Sequence, residues 1–144
     1  MEKAGKVLPI EEKSRREAEA RQDWYGILIG NPDDDGRIDE STRDKFNRAF
    51  EAASAGSFRE AFRGYQELAS GGCPVSQYYL GKMYLKGSGT LQDYCLAHMW
   101  FNIAASQDYK KAAAQLEKLT SRMNMEQLAE AQKMAREWIQ SQDR

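Results

Sequence analysis

The sequence predicts an all-α fold, a short helical solenoid closed by C-terminal capping helices, and three observations lead there. Pro9, Pro32 and Pro74 are the only prolines, so residues 75–144 run without one and can be helical almost throughout. No stretch alternates apolar and polar residues as a half-buried strand would. Finally, the chain matches itself. At an offset of 36, Phe58 falls on Tyr94, Ala61 on Ala97, Tyr65 on Phe101, Ala69 on Ala105, Ser76 on Ala112 and Leu80 on Leu116. At an offset of 34, Phe46 falls on Leu80, Ala49 on Met83 and Phe50 on Tyr84. A period in the mid-thirties built of helix pairs is the mark of a helical solenoid. The alternation of small and large residues has a physical purpose: alanines let helix backbones approach, and a neighbouring aromatic fills the space beside them.

Composition narrows the function. The 144 residues suit one domain with an appended arm. With 22 acidic and 21 basic side chains, no global basic field exists to hold a nucleic acid or an anionic membrane. One histidine, His98, and two cysteines, Cys73 and Cys95, exclude a four-ligand zinc site built only from Cys and His. They also leave little material for catalysis. The first 25 residues hold no apolar run long enough for a signal peptide or a spanning helix, so the sequence reads as cytoplasmic with reduced thiols.

Residues 1–41 read as an N-terminal arm. Within it, residues 11–22 form a charged helix candidate with acid-to-base pairs at i,i+4: Glu11 with Arg15, Glu12 with Arg16, and Glu17 with Arg21. This segment is polar on all sides, and the apolar cluster Trp24, Tyr25, Ile27, Leu28, Ile29 follows it. The stretch NPDDDGRIDEST, residues 31–42, is like an EF-hand calcium loop. Asn31, Asp33, Asp35 and Asp39 stand at liganding positions and Gly36 at the sharp turn, but Thr42 occupies the place of the bidentate glutamate. The competing reading, which the missing ligand favours, is a Pro-led Asp-Gly turn with Ser41 or Thr42 as the N-cap of the next helix.

That helix is expected over about 42–55, with Phe46, Ala49, Phe50 and Ala53 on one stripe and Gly56 ending it. A second is expected over about 57–70, with Phe58, Ala61, Phe62, Tyr65, Leu68 and Ala69, closed by Gly71, Gly72 and Pro74. Residues 42–72 thus make a degenerate unit, residues 73–107 a strong one, and residues 108–144 a third first-helix followed by a cap. Breaks are expected at Gly87, Gly89, Asp108 and Asn124. In the cap, Asn124 with Gln127 forms a capping-box pattern, and Leu128, Ala131, Ala135 and Trp138 share a face.

Residues 75–107, VSQYYLGKMYLKGSGTLQDYCLAHMWFNIAASQ, strongly resemble the Sel-one-like repeat family, relatives of the tetratricopeptide repeat. The resemblance is carried by Leu80, Gly81, Tyr84, Gly87, Gly89, Asp93, Tyr94, Ala97, Trp100, Phe101, Ala104 and Ala105. Physics supports these positions. Gly81 permits close packing, Gly87 and Gly89 suit backbone that β-carbons resist, Asp93 can cap the second helix, and the large aromatics fill a core. The resemblance implies a right-handed α–α superhelix and a non-catalytic role in protein–protein interaction, as an adaptor or scaffold. It also implies bacterial relatives, many of them in the envelope, which is the compartment expected here if a leader precedes the chain.

Helical solenoids usually bind partners on the surface lined by the first helix of each pair. With Leu80, Met83 and Tyr84 facing the core, Tyr78, Lys82 and Leu85 are expected to point away from it. Their counterparts at the offset of 34 are Asp44, Arg48 and Glu51, and these six form the expected partner surface. The expected partner is another protein, with no cofactor, nucleic acid or membrane insertion. Two other classes compete: a calcium-responsive module using the loop at 31–42, and a homo-oligomer pairing through an exposed edge or the Trp24–Ile29 cluster. His98 reads as a surface or half-buried structural residue, and Cys73 and Cys95 as free thiols.

Overall fold

The computed structural model describes residues 40–142. The charged segment 11–22, the cluster at Trp24 to Ile29 and the candidate calcium ligands Asn31, Asp33, Asp35 and Asp39 lie outside the described residues. Within them the fold is all-α, with no strand: α1 (Glu40–Ser54), α2 (Phe58–Ser70), α3 (Pro74–Lys86), α4 (Tyr94–Ala105), α5 (Lys110–Thr120) and α6 (Met125–Gln142). Consecutive helices pack against each other. The first begins at Glu40, which puts Ser41 and Thr42 inside its first turn instead of at its cap.

Each helix buries the face its composition dictates. On α2, Ala61, Tyr65, Leu68 and Ala69 are buried, while Arg59, Glu60, Arg63, Gln66 and Glu67 stay in solvent. This is the one-sided pattern of a helix with a single core-facing stripe. Helix α4, YCLAHMWFNIAA, is apolar nearly all round and buries Ala97–Phe101, Ile103 and Ala104. A helix of that kind needs neighbours on several sides, and it has them: α3, α5 and α6 all pack on α4, while α2 packs on α3. Phe46, Tyr65, Leu80, Phe101 and Ile103 are the largest apolar side chains shut off from water. On α1 the expected stripe holds at Phe46, Ala49 and Phe50, with Ala52 buried and Ala53 half-buried beside it. Phe58 departs from expectation: as the first residue of α2 it overhangs the core and is exposed.

The self-match at 36 residues extends to the backbone. In the α2–α3 turn, the amide of Gly72 donates to Ala69, Cys73 to Leu68, and Gln77 to Cys73. In the α4–α5 turn, Asp108 donates to Ala105, Tyr109 to Ala104, and Ala113 to Tyr109. Every partner is displaced by the same 36 positions. The turn residue sits at positive φ in both copies, 101° at Gly72 and 66° at Asp108, the latter being the one non-glycine with positive φ among the described residues. Asp tolerates this conformation better than most residues because its short side chain can bond locally.

Caps follow the local sequence. Asp93 accepts a 3.0 Å hydrogen bond from the Leu96 amide and starts α4. The Gly87 and Ser88 amides both close on the Met83 carbonyl at the end of α3. The loop beyond is tied back by the Asp93 amide to Tyr84 (2.9 Å) and by Gln92 Nε2 to the Leu85 carbonyl (2.8 Å). At α6, Gln127 N–H donates to Asn124 Oδ1 (2.8 Å) while Asn124 N–H donates to Gln127 Oε1 (3.0 Å), a reciprocal capping box. Ala131 and Ala135 then turn inward, with Leu128 and Trp138 half-buried on the same face. Trp138 meets Trp100 of α4 edge-on at 5.6 Å.

Candidate functional site

The six residues expected to form a partner surface divide into two groups. Asp44, Arg48 and Glu51 are all exposed on α1. Spacings of four and three residues keep them within about 60° of one another around a helix of 3.6 residues per turn. They form a stripe of alternating charge beside Lys45, whose Nζ bonds Glu67 Oε1 of α2 at 3.0 Å. That ion pair is exposed on both sides, so it adds little to stability.

The α3 group is different. Tyr78 does not point away from the core: it is only 7% exposed. Its ring packs on Tyr79 (5.3 Å), Tyr109 (5.3 Å) and Phe101 (6.0 Å). The Lys82 ammonium lies 5.5 Å from the same ring, a cation–π contact across one helical turn, and both Lys82 and Leu85 are half-buried. The reason is that α3 is enclosed by α2 and α4 and carries apolar side chains on most of its surface. Tyr78 therefore contributes core volume, and the open part of the candidate surface is the α1 stripe.

The repeat positions are placed as follows. Leu80, Ala97, Phe101 and Ala104 are fully buried, Trp100 nearly so, and Tyr84, Tyr94 and Ala105 half-buried. Tyr84 crosses Phe62 of α2 edge-on at 5.4 Å. Burial, with the Asp93 carboxylate nearby, raises its hydroxyl pKa above the ordinary tyrosine value. Tyr65 is raised further by deeper burial and by its neighbours Tyr79 and Cys73.

Two of the three buried polar side chains among the described residues, Gln77 and His98, make hydrogen bonds to other helices. Gln77, in the first turn of α3, is completely buried. Its Nε2 donates to the Ala69 carbonyl at the end of α2 (3.1 Å), and its Oε1 accepts from Gln107 Nε2 beyond α4 (2.7 Å). One amide thus ties α3 to the end of α2 and to the turn that follows α4. Replacing Gln77 with leucine leaves the Ala69 carbonyl and the Gln107 amide without this partner. The expected loss is about 1–3 kcal/mol in urea denaturation.

The second is His98, which is buried at 3% exposure and not a surface residue. Its Nε2 lies 3.1 Å from Thr120 Oγ1 on α5. The cysteines are both free and half-buried. Burial, then Asp93 and Glu130, raise the Cys95 pKa, which lowers its reactivity.

Near the cap, Gly72, Ile103, Gln107, Trp138 and Ile139 line an open cleft of about 250 Å³. Among the described residues, no group of three or more His, Cys, Asp and Glu could hold a metal ion, and no helix is long and apolar enough to cross a membrane. No protein-family model matches the chain, and a search of the curated proteins returns no match either.

Proposed function

We propose that residues 42–144 are a protein–protein interaction module of the Sel-one-like repeat type, acting as an adaptor or scaffold without catalysis. The observation that carries this reading is the α2–α3 turn returning at α4–α5, with the Gly72, Cys73 and Gln77 hydrogen bonds repeated 36 residues later by Asp108, Tyr109 and Ala113. Repetition at this period stacks helices into an extended surface, and such surfaces serve recognition. The charged stripe Asp44, Arg48 and Glu51 is the contact face in this reading. Its mixed signs suit a partner with a complementary local pattern, since matched charges set register and exclude wrong partners.

The test is affinity capture from the native cell with the wild-type chain and with a variant carrying Asp44→Ala, Arg48→Ala and Glu51→Ala together. All three side chains are exposed. The variant is therefore expected to melt with the wild type by circular dichroism, because exposed substitutions away from special features usually stay within about 0.5 kcal/mol each. Proteins bound by the wild type and absent from the variant are the expected result. Identical captured sets for the two chains would remove the stripe as the contact face.

A further inference from the structure

We propose that His98 is an acid-sensitive latch that holds α5 on α4 while its imidazole is neutral and releases it when it is protonated. The hydrogen-bond chain fixes the tautomer. Thr120 Oγ1 donates its single proton to the Leu116 carbonyl at 2.7 Å, so it can only accept from His98. The His98 proton therefore sits on Nε2, 3.1 Å away, and Nδ1 carries a bare lone pair. That Nδ1 is buried and has no hydrogen-bond partner.

A second proton can go only to Nδ1. There it would place an unsatisfied N–H and a full positive charge at a site 3% exposed to water. The ionisable groups around this part of the fold do not offset that cost. Tyr94 and Cys95 share α4 with His98; Glu117 and Lys118 precede Thr120 on α5; Glu130 and Lys133 lie on α6. The last four are exposed, and the charged side chains of α3 are both cations: Lys82, half-buried over the Tyr78 ring, and Lys86, which is exposed. Burial alone acts on the imidazole and lowers its pKa below the ordinary value of 6.5.

The strain of protonation is relieved where His98 meets its neighbour, at the contact of α4 with α5. Helix α6 is held to α4 by contacts of its own, the Trp100–Trp138 pair and Cys95 Sγ, which donates to the Gln127 carbonyl at 3.7 Å. The sign follows from linkage. The opened state binds a proton below its pKa near 6.5, and the closed state resists it. Closure is therefore at full strength above that pH and weakens as pH falls, by at most tenfold in the closed-to-open ratio per pH unit for one proton.

Because His98 is the only histidine, its ring resonance in a proton NMR titration needs no assignment. The expected midpoint is below 6.5. In parallel, hydrogen-exchange protection of α5 is compared between the wild type and His98→Gln, which keeps a donor for Thr120 and cannot titrate. Protection in the wild type should fall relative to the variant between pH 6.5 and 5, more in α5 than in α2 and α3. A midpoint at or above 6.5 overturns the proposal, as does the same pH dependence of protection in both chains or a loss spread equally over all helices. If His98→Gln does not fold, the wild-type titration and its helix-by-helix exchange still decide the matter.

Discussion

Replacing Gly89 with alanine is expected to lower the stability of the folded domain by about 3 kcal/mol or more, from backbone strain and a collision acting together. The φ angle is +74°, where an L side chain is strained even in open space. Space is also lacking. An added β-carbon would overlap the Phe58 carbonyl oxygen, come within 2.8 Å of the Phe58 carbonyl carbon and meet Phe62 Cβ at 3.1 Å. The first two are main-chain atoms, so relief requires moving the start of α2. Gly72→Ala serves as the control. Its φ is +101° but nothing lies within 4 Å of the added carbon, so only the conformational term applies, about 1–2 kcal/mol. Chemical denaturation of the two variants side by side measures the difference, and equal losses would show that the loop does not rest on α2 as described.

The second large effect lies where α3 crosses α4. A β-carbon on Gly81 would come within 2.7 and 2.8 Å of two ring carbons of Phe101, which is itself completely buried. Overpacking of this kind costs about 1–3 kcal/mol, while alanine regains about 1 kcal/mol of helix propensity over glycine. Gly81→Ala is therefore expected to destabilise modestly. Phe101→Ala removes the ring and should cost about 3–5 kcal/mol, a large part of the stability of a domain this size. The informative experiment combines Gly81→Ala with Phe101→Leu. The smaller side chain makes room, so the methyl should become neutral or stabilising in that background, with a coupling of about 1–2 kcal/mol. Strict additivity would mean that Gly81 and Phe101 do not define the crossing.

Much of this was legible beforehand, and where legibility ended has a physical reason. The glycines at 87 and 89, the Asp93 cap and the Asn124–Gln127 box could be read because each depends on local backbone geometry. The period of 36 could be read because a repeated contact selects the same residue class each time. Tyr78 was misplaced because periodicity assigns an inner and an outer face, whereas α3 has neighbours on more than one side and no clear outer face. The same cause hid the full burial of His98. On a helix packed against three others, a polar residue gains burial from tertiary structure that its own flanking residues do not announce. Gln77 was invisible for a related reason: a glutamine in a first turn normally faces water, and only the ends of α2 and α4 nearby supply partners for its amide. In the candidate surface, the α1 stripe could be read because that face stays polar and exposed.

The dependence of α3, α5 and α6 on α4 also bears on how the chain acquires its structure during synthesis. Contacts between successive helices are local in sequence, which favours rapid folding once the participants are present. Yet the helix that these three need is the fourth of the six described to leave the ribosome. Until residues 94–105 have emerged, the Gly81 side of α3 has no ring to close on, and its apolar surface stays open to solvent or to a chaperone. Synthesis then changes character at α4. Before it, the nascent chain accumulates unfinished surface; after it, α5 and α6 each arrive at a template already in place.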